Sequence, residues 1–163
     1  MAGLAPPQGR WVIVMTFVVA LLLTAMPLPE WLSYARPEWV ALTLVYWCMA
    51  LPQRVGVGAA WFLGLLLDVL RGAALGQHAM ALSLVAFLAL KLHQQIRVYP
   101  MWQQALSVMG FMTLYALLVL WISGFLEVRT SHWYQWLPVV TSALIWPWLF
   151  IILRDVRRHF GVR

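Results

Sequence analysis

Apolar residues run along this chain in six long blocks, 11–28, 39–51, 55–70, 73–92, 101–126 and 134–153, and polar residues fall mostly in the short breaks between them. The breaks carry residues that end helices or reverse the chain: Pro27 and Pro29, Pro52-Gln53-Arg54, Arg71-Gly72, the stretch 94–100 closing on Pro100, and 127–133. Proline lacks a backbone donor and clashes inside a helix, whereas glycine opens positive φ, so both mark boundaries. At 1.5 Å per residue a hydrocarbon core of ~30 Å takes about 20 residues. The pattern therefore predicts an all-α bundle of six transmembrane helices. The blocks at 39–51 and 55–70 are short for a full crossing, and four spans plus a re-entrant hairpin is the alternative.

Composition agrees with an integral membrane protein: 64% of the 163 residues are hydrophobic, only 10% are charged, and the mean hydropathy is +0.83. Such values lie far from those of soluble domains. The whole chain, 1–163, reads as one bundle without a soluble domain, so its function resides in the membrane part. The first block has Arg10 as its only flanking base, and Pro27 and Pro29 precede the one plausible cleavage site, Ser33-Tyr34-Ala35. It reads as an uncleaved span rather than a secretory signal. Cys48 has no second cysteine to pair with and reads as a packing residue.

The formal charge of +6 comes from 11 basic residues scattered singly or in pairs, without a basic face, so nucleic acid is not implied. Their placement instead orients the bundle, because short cytoplasmic loops collect Lys and Arg. With the N-terminus inside, Arg10, Arg54, Lys91, Arg97, Arg154, Arg157, Arg158 and Arg163 fall at cytoplasmic ends, against Arg36, Arg71 and Arg129 outside. Both termini are expected in the cytoplasm. There Arg154, Arg157 and Arg158 anchor the tail to anionic lipid at about 1 kcal/mol each. Trp11, Trp31, Trp39, Tyr99, Trp102, Trp133 and Trp136 flank the spans as headgroup-level aromatics do, whereas Trp47, Trp61, Trp121 and Trp146 lie deeper and read as packing residues.

The chemistry of the chain concentrates between Gly64 and His78, where Asp68, Arg71, Gln77 and His78 interrupt apolar surroundings. Each charged group costs roughly 2.5–3.5 kcal/mol at a bilayer centre, so the cluster marks a membrane turn or a protein contact. Gly56, Ala60 and Gly64, followed by Asp68, recur every four residues and drift about 40° per step, a row that lets a second backbone approach closely. That second backbone is either a neighbouring helix of the same chain or a partner's helix. Gly72 and Gly76 permit the tight reversal that follows. Asp68 and Arg71, three apart, are placed to pair, giving a neutralised turn or a docking or ligand site. Gln77 and His78 open the fourth span, where they cap its end or bond across the bundle. Arg36, Pro37, Glu38 and Trp39 open the second span as a structural start signal. The four histidines are scattered, no metal-ligand spacing appears, and no nucleophile with base, phosphate-cradling loop or carboxylate pair is present, so no metal, cofactor or catalytic residue is expected.

Together the stretches Arg36-Pro37-Glu38-Trp39, Gly64 to His78 and Leu88 to Gln94 resemble the MreD family of bacterial rod shape-determining proteins. The resemblance implies a non-enzymatic scaffold in the bacterial inner membrane. It would work in cell elongation and lateral peptidoglycan synthesis with MreC as its most direct partner, and with MreB, RodA and penicillin-binding protein 2. It also implies a fold similar to the substrate-binding components of bacterial vitamin transporters. From that follows the alternative function, a small-ligand-binding transport component with Asp68, Arg71 and Gln77 at its outer mouth.

Overall fold

A computed structural model describes residues 9–126 and 133–162. Within them the chain forms helices α1 (Arg10–Ala25), α2 (Glu30–Ser33), α3 (Trp39–Ala50), α4 (Val57–Arg71), α5 (Gln77–Arg97), α6 (Met101–Phe125) and α7 (Leu137–His159), the last preceded by a 3₁₀ turn at Trp133–Trp136. No strand occurs among the described residues. By length and composition α5, α6 and α7 suffice to cross a membrane, and α1 and α3 are shorter apolar helices. Arg129 and Arg163, used above to assign sidedness, and His132, one of the four histidines, lie outside the described residues.

Each of the six blocks contains a long helix, but the ends move for local reasons. Helix α1 stops at Ala25 because Met26 precedes Pro27 and is extended, at φ −61° and ψ 128°. Its exposed last carbonyls are taken up by Arg36, whose guanidinium donates to Thr24 O and, at 2.6 Å, to Met26 O. The short helix α2 then begins after Pro29, where no helix was expected. Helix α7 runs on to His159 through Arg157 and Arg158, basic residues that suit the negative end of a helix.

The fourth helix departs most from expectation. The apolar block starts at 73, yet α5 starts at Gln77, because Gly72 (φ 65°) and Gly76 (φ 100°) are both left-handed. Gly72 ends α4 in a Schellman arrangement, with Ala73 N–H donating to Asp68 O at 2.9 Å and Gly72 N–H to Val69 O at 3.3 Å. Residues 73–76 are consumed by the reversal.

Helix α3 sits at the centre. All of Val40 to Met49 is buried, with α1, α5 and α7 packed around it. A helix that is apolar on every side belongs inside a bundle, which explains its 12-residue length without amphipathic character. Trp47 is fully buried and donates from Nε1 to Thr16 Oγ1 of α1 at 2.9 Å. Trp146 is also fully buried, beside Phe150. Trp61 and Trp121, expected to pack inside, instead face outward on α4 and α6. Cys48 is buried and free.

A buried polar clamp at the α4–α5 reversal

Gly64 lies on the face of α4 that meets α5, and the two backbones touch. A Cβ at Gly64 would fall within contact of Ala79 Cα, 2.5 Å from Ala79 N and 2.8 Å from the His78 carbonyl carbon. Ala60, one step earlier, is fully buried. The row of small residues is thus filled by a helix of the same chain. Gly56 does not belong to the contact: it precedes α4 as its N-cap, and a Cβ there meets nothing within 4 Å.

This approach brings Asp68, in the last turn of α4, to the start of α5. Its Oδ2 accepts Gly76 N–H at 2.8 Å, and its Oδ1 accepts both His78 N–H at 2.8 Å and His78 Nδ1 at 2.7 Å. The first N–H groups of a helix have no partners within it and carry partial positive charge. Asp68 therefore caps α5 from the preceding helix, and with 0% exposure it meets no solvent. Three donors on one carboxylate offset the cost of burying its charge.

Because His78 Nδ1 donates to Asp68, its Nε2 is left as an acceptor, and Arg71 Nη1 lies 3.3 Å from it. The same guanidinium holds Glu38 at the start of α3, Nη2 to Oε2 at 2.9 Å and Nη1 to Oε1 at 3.5 Å. The Glu38 backbone N–H in turn donates to Ser142 Oγ of α7 at 3.0 Å. A continuous chain of polar contacts thus runs Asp68–His78–Arg71–Glu38 and ties α4, α5, α3 and α7 at one end of the bundle. Gln77 adds α6, its Nε2 donating to Ser123 Oγ at 2.6 Å and Val119 O at 3.1 Å.

The expected Asp68–Arg71 pair does not form. Spacing allows it, but the backbone donors of α5 saturate Asp68, and the longer Arg71 side chain reaches past it to a carboxylate 33 residues away in sequence. Glu38 was read only as a helix start signal and proves to be the ion-pair partner. Pro37 and Trp39 keep the start role, with Trp39 N–H donating to Pro37 O at 3.0 Å. Tyr115, not singled out in the sequence, lies beside both Arg71 and His78, with its ring 6.0 Å from the imidazole. Its buried hydroxyl makes no well-formed hydrogen bond. Lys91, Arg154, Arg157 and Arg158 lie away from this cluster.

A half-open cavity of about 240 Å³ adjoins the clamp, lined by Glu38, Arg71, His78, Tyr115, Ser123 and Gln135 together with apolar residues of α6 and α7. Asp68 is sealed from it. If the Arg71–Glu38 pair fixes the start of α3, then Glu38→Gln, which keeps shape and removes charge, costs about 1 kcal/mol for a partly exposed pair. The double variant Glu38→Gln/Arg71→Gln is expected to be less destabilised than the sum of the singles, by thermal unfolding in detergent. Strict additivity would show the two side chains acting independently.

Comparison with known proteins places these observations. The profile of the family described as rod shape-determining protein MreD matches residues 7–156. The rod shape-determining protein MreD of Haemophilus influenzae is 33% identical over 150 residues, covering 91% of this chain and 93% of that protein. No solved structure gives a significant match.

Proposed function

The chain belongs to the MreD family of rod shape-determining proteins, and from that premise we propose that it is a non-enzymatic scaffold of the cell-elongation complex in the bacterial inner membrane. Its role in cell shape follows from the family. The scaffold reading adds that the bundle holds MreC directly and, through the complex, MreB, RodA and penicillin-binding protein 2. One observation supports it above the others: the charged groups of the Gly64–His78 stretch are spent on one another and on backbone donors, fixing five helices at a common end. What such an end offers a partner is a rigid surface. In this reading the chain is a single transmembrane domain of six crossings by α1 and α3–α7, arranged as in vitamin-transporter substrate-binding components. Both termini are cytoplasmic and the clamp faces outward.

A mild-detergent pull-down with mass spectrometry tests the proposal. MreC is expected in stoichiometric recovery, and its absence from a preparation that retains native membrane levels would contradict direct binding. Topology is tested separately. A C-terminal fusion is expected to fluoresce with a cytoplasm-dependent reporter and to stay inactive with a periplasmic phosphatase, while a phosphatase fused at Arg71 is active. A cytoplasmic signal at Arg71 alone would favour the re-entrant hairpin.

The 240 Å³ cavity supports a second reading, a ligand-binding transport component. A small molecule there would meet Glu38, Arg71, His78 and Tyr115, while Asp68 and Gln77, sealed inside the bundle, would take no part.

A further inference from the structure

The end of the bundle opposite the clamp gathers positive charge. Arg97, Arg154, Arg157 and Arg158 lie there, and the carboxylate beside them among the described residues is Asp155, exposed and 3.6 Å from Arg154 Nε. Two adjoining cavities meet at Ala50 and Arg97, where the last turn of α3 lies against α5. The larger, about 510 Å³, is lined by Arg54, His93 and Arg97. The smaller, about 90 Å³, is lined by Arg97, Arg154, Arg157, Tyr46 and Gln104. The buried ring of Tyr46 shares the wall of the smaller cavity with Arg97, Arg154 and Arg157. Arg97 also donates to Ala50 O at 3.2 Å, which holds its guanidinium at the junction of the cavities.

Guanidinium groups gathered at one end of the bundle repel one another, and an anion that joins them offsets that repulsion. Gln104 adds a second requirement. It is 5% exposed, its Nε2 is committed to Ile96 O at 3.2 Å, and its Oε1 has no hydrogen-bond partner. An occupant must therefore accept bonds from arginine and donate one to an amide oxygen. A phosphate that carries a hydroxyl-bearing group does both. The exposed Val98, Tyr99 and Trp102 follow Arg97 along the chain, and aromatics of this kind sit at headgroup depth.

We propose that this basic double cavity is a binding site for the phosphoglycerol headgroup of an anionic membrane lipid, held by Arg97, Arg154 and Arg157 with Gln104 as the acceptor for its hydroxyl. The same chemistry is present in soluble glycerol phosphate, and the exposed apolar side chains that follow Arg97 favour the lipid.

Native mass spectrometry of the purified full chain, in micelles containing equal phosphatidylglycerol and phosphatidylcholine, tests the site. The wild type is expected to retain phosphatidylglycerol preferentially. Arg97→Gln/Arg157→Gln is expected to lose that retention by roughly 25-fold, about fivefold for each removed charge. Lys91→Gln, which removes a charge from the exposed part of α5, is expected to bind as the wild type does. Should the double variant fail to fold, Arg97→Lys keeps the charge but not the forked donor and is expected to weaken retention a few-fold. Equal retention of both lipids, or equal loss with Lys91→Gln, would overturn the site. Displacement of lipid by stoichiometric sn-glycerol 3-phosphate would assign the cavity to a soluble phosphate. Binding of a hexaglutamate peptide with the same arginine dependence, without lipid preference, would assign it to an acidic protein segment. Either result overturns the lipid proposal.

Discussion

Replacing Gly64 by leucine is expected to prevent the bundle from assembling. The position has no space for even a methyl group, since a Cβ there would overlap the Ala79 backbone, and a backbone cannot yield as a flexible side chain can. Membrane helices associate through close packing and interhelical hydrogen bonds, not through expulsion of water, so separating α4 from α5 removes the attraction itself. It also pulls Asp68 away from the start of α5. Gly64→Ala is expected to destabilise strongly, and Gly64→Leu to abolish a cooperative thermal transition in detergent. Gly56→Ala, at the other end of the same sequence row, is expected to be near neutral because it meets open space. Equal tolerance of all three would show that α4 and α5 are not in contact.

Asp68→Ala is the second large effect. It strands the N–H groups of Gly76 and His78 and the His78 Nδ1 proton in a site without solvent, at about 1–3 kcal/mol for each unsatisfied donor. The total, several kcal/mol, is a large share of an ordinary domain's stability. His78→Ala removes one of the three donors and is expected to cost less. Combined with Asp68→Ala it is expected to add little, because the ring bond is already lost. By contrast Asp68→Ala and Arg71→Ala, which the sequence pairs by spacing, are expected to be close to additive except for what passes through His78. Thermal unfolding of the singles and both doubles separates these outcomes, and strong coupling of Asp68 to Arg71 with none to His78 would contradict the geometry.

Much of this was legible in the residues, and the misses share a cause. Proline and glycine announce where helices break, so one long helix forms in each apolar block, and the small-residue spacing announces the close face of α4. The start of α5 was obscured because Ala73, Ala74 and Leu75 are apolar and look helical. Placed inside a helix, the N–H groups of Gly76 and His78 appear already satisfied, and their need for a cap is hidden. Asp68 then seems to lack a partner, and the nearest base in sequence takes that place. The pairing role of Glu38, and Tyr115, Ser123 and Ser142 altogether, were missed for a different reason. Their partners come from distant helices, and no local pattern encodes a bond across 33 or 104 residues. Trp61 and Trp121 were assigned inward because depth along a helix was taken as burial, whereas the face on which a residue sits decides it.

The central claim is that a rigid, clamped bundle supports rod shape by holding its partners, and complementation of a strain lacking the protein tests it most directly. Wild type, Gly56→Ala, Gly64→Leu and Asp68→Ala would be expressed at matched membrane levels and scored for cell shape and MreC copurification together. Wild type and Gly56→Ala are expected to restore rods and recover MreC, while Gly64→Leu and Asp68→Ala leave cells rounded with MreC recovery lost in step. Full rod shape and full MreC recovery with Gly64→Leu and Asp68→Ala would contradict the account.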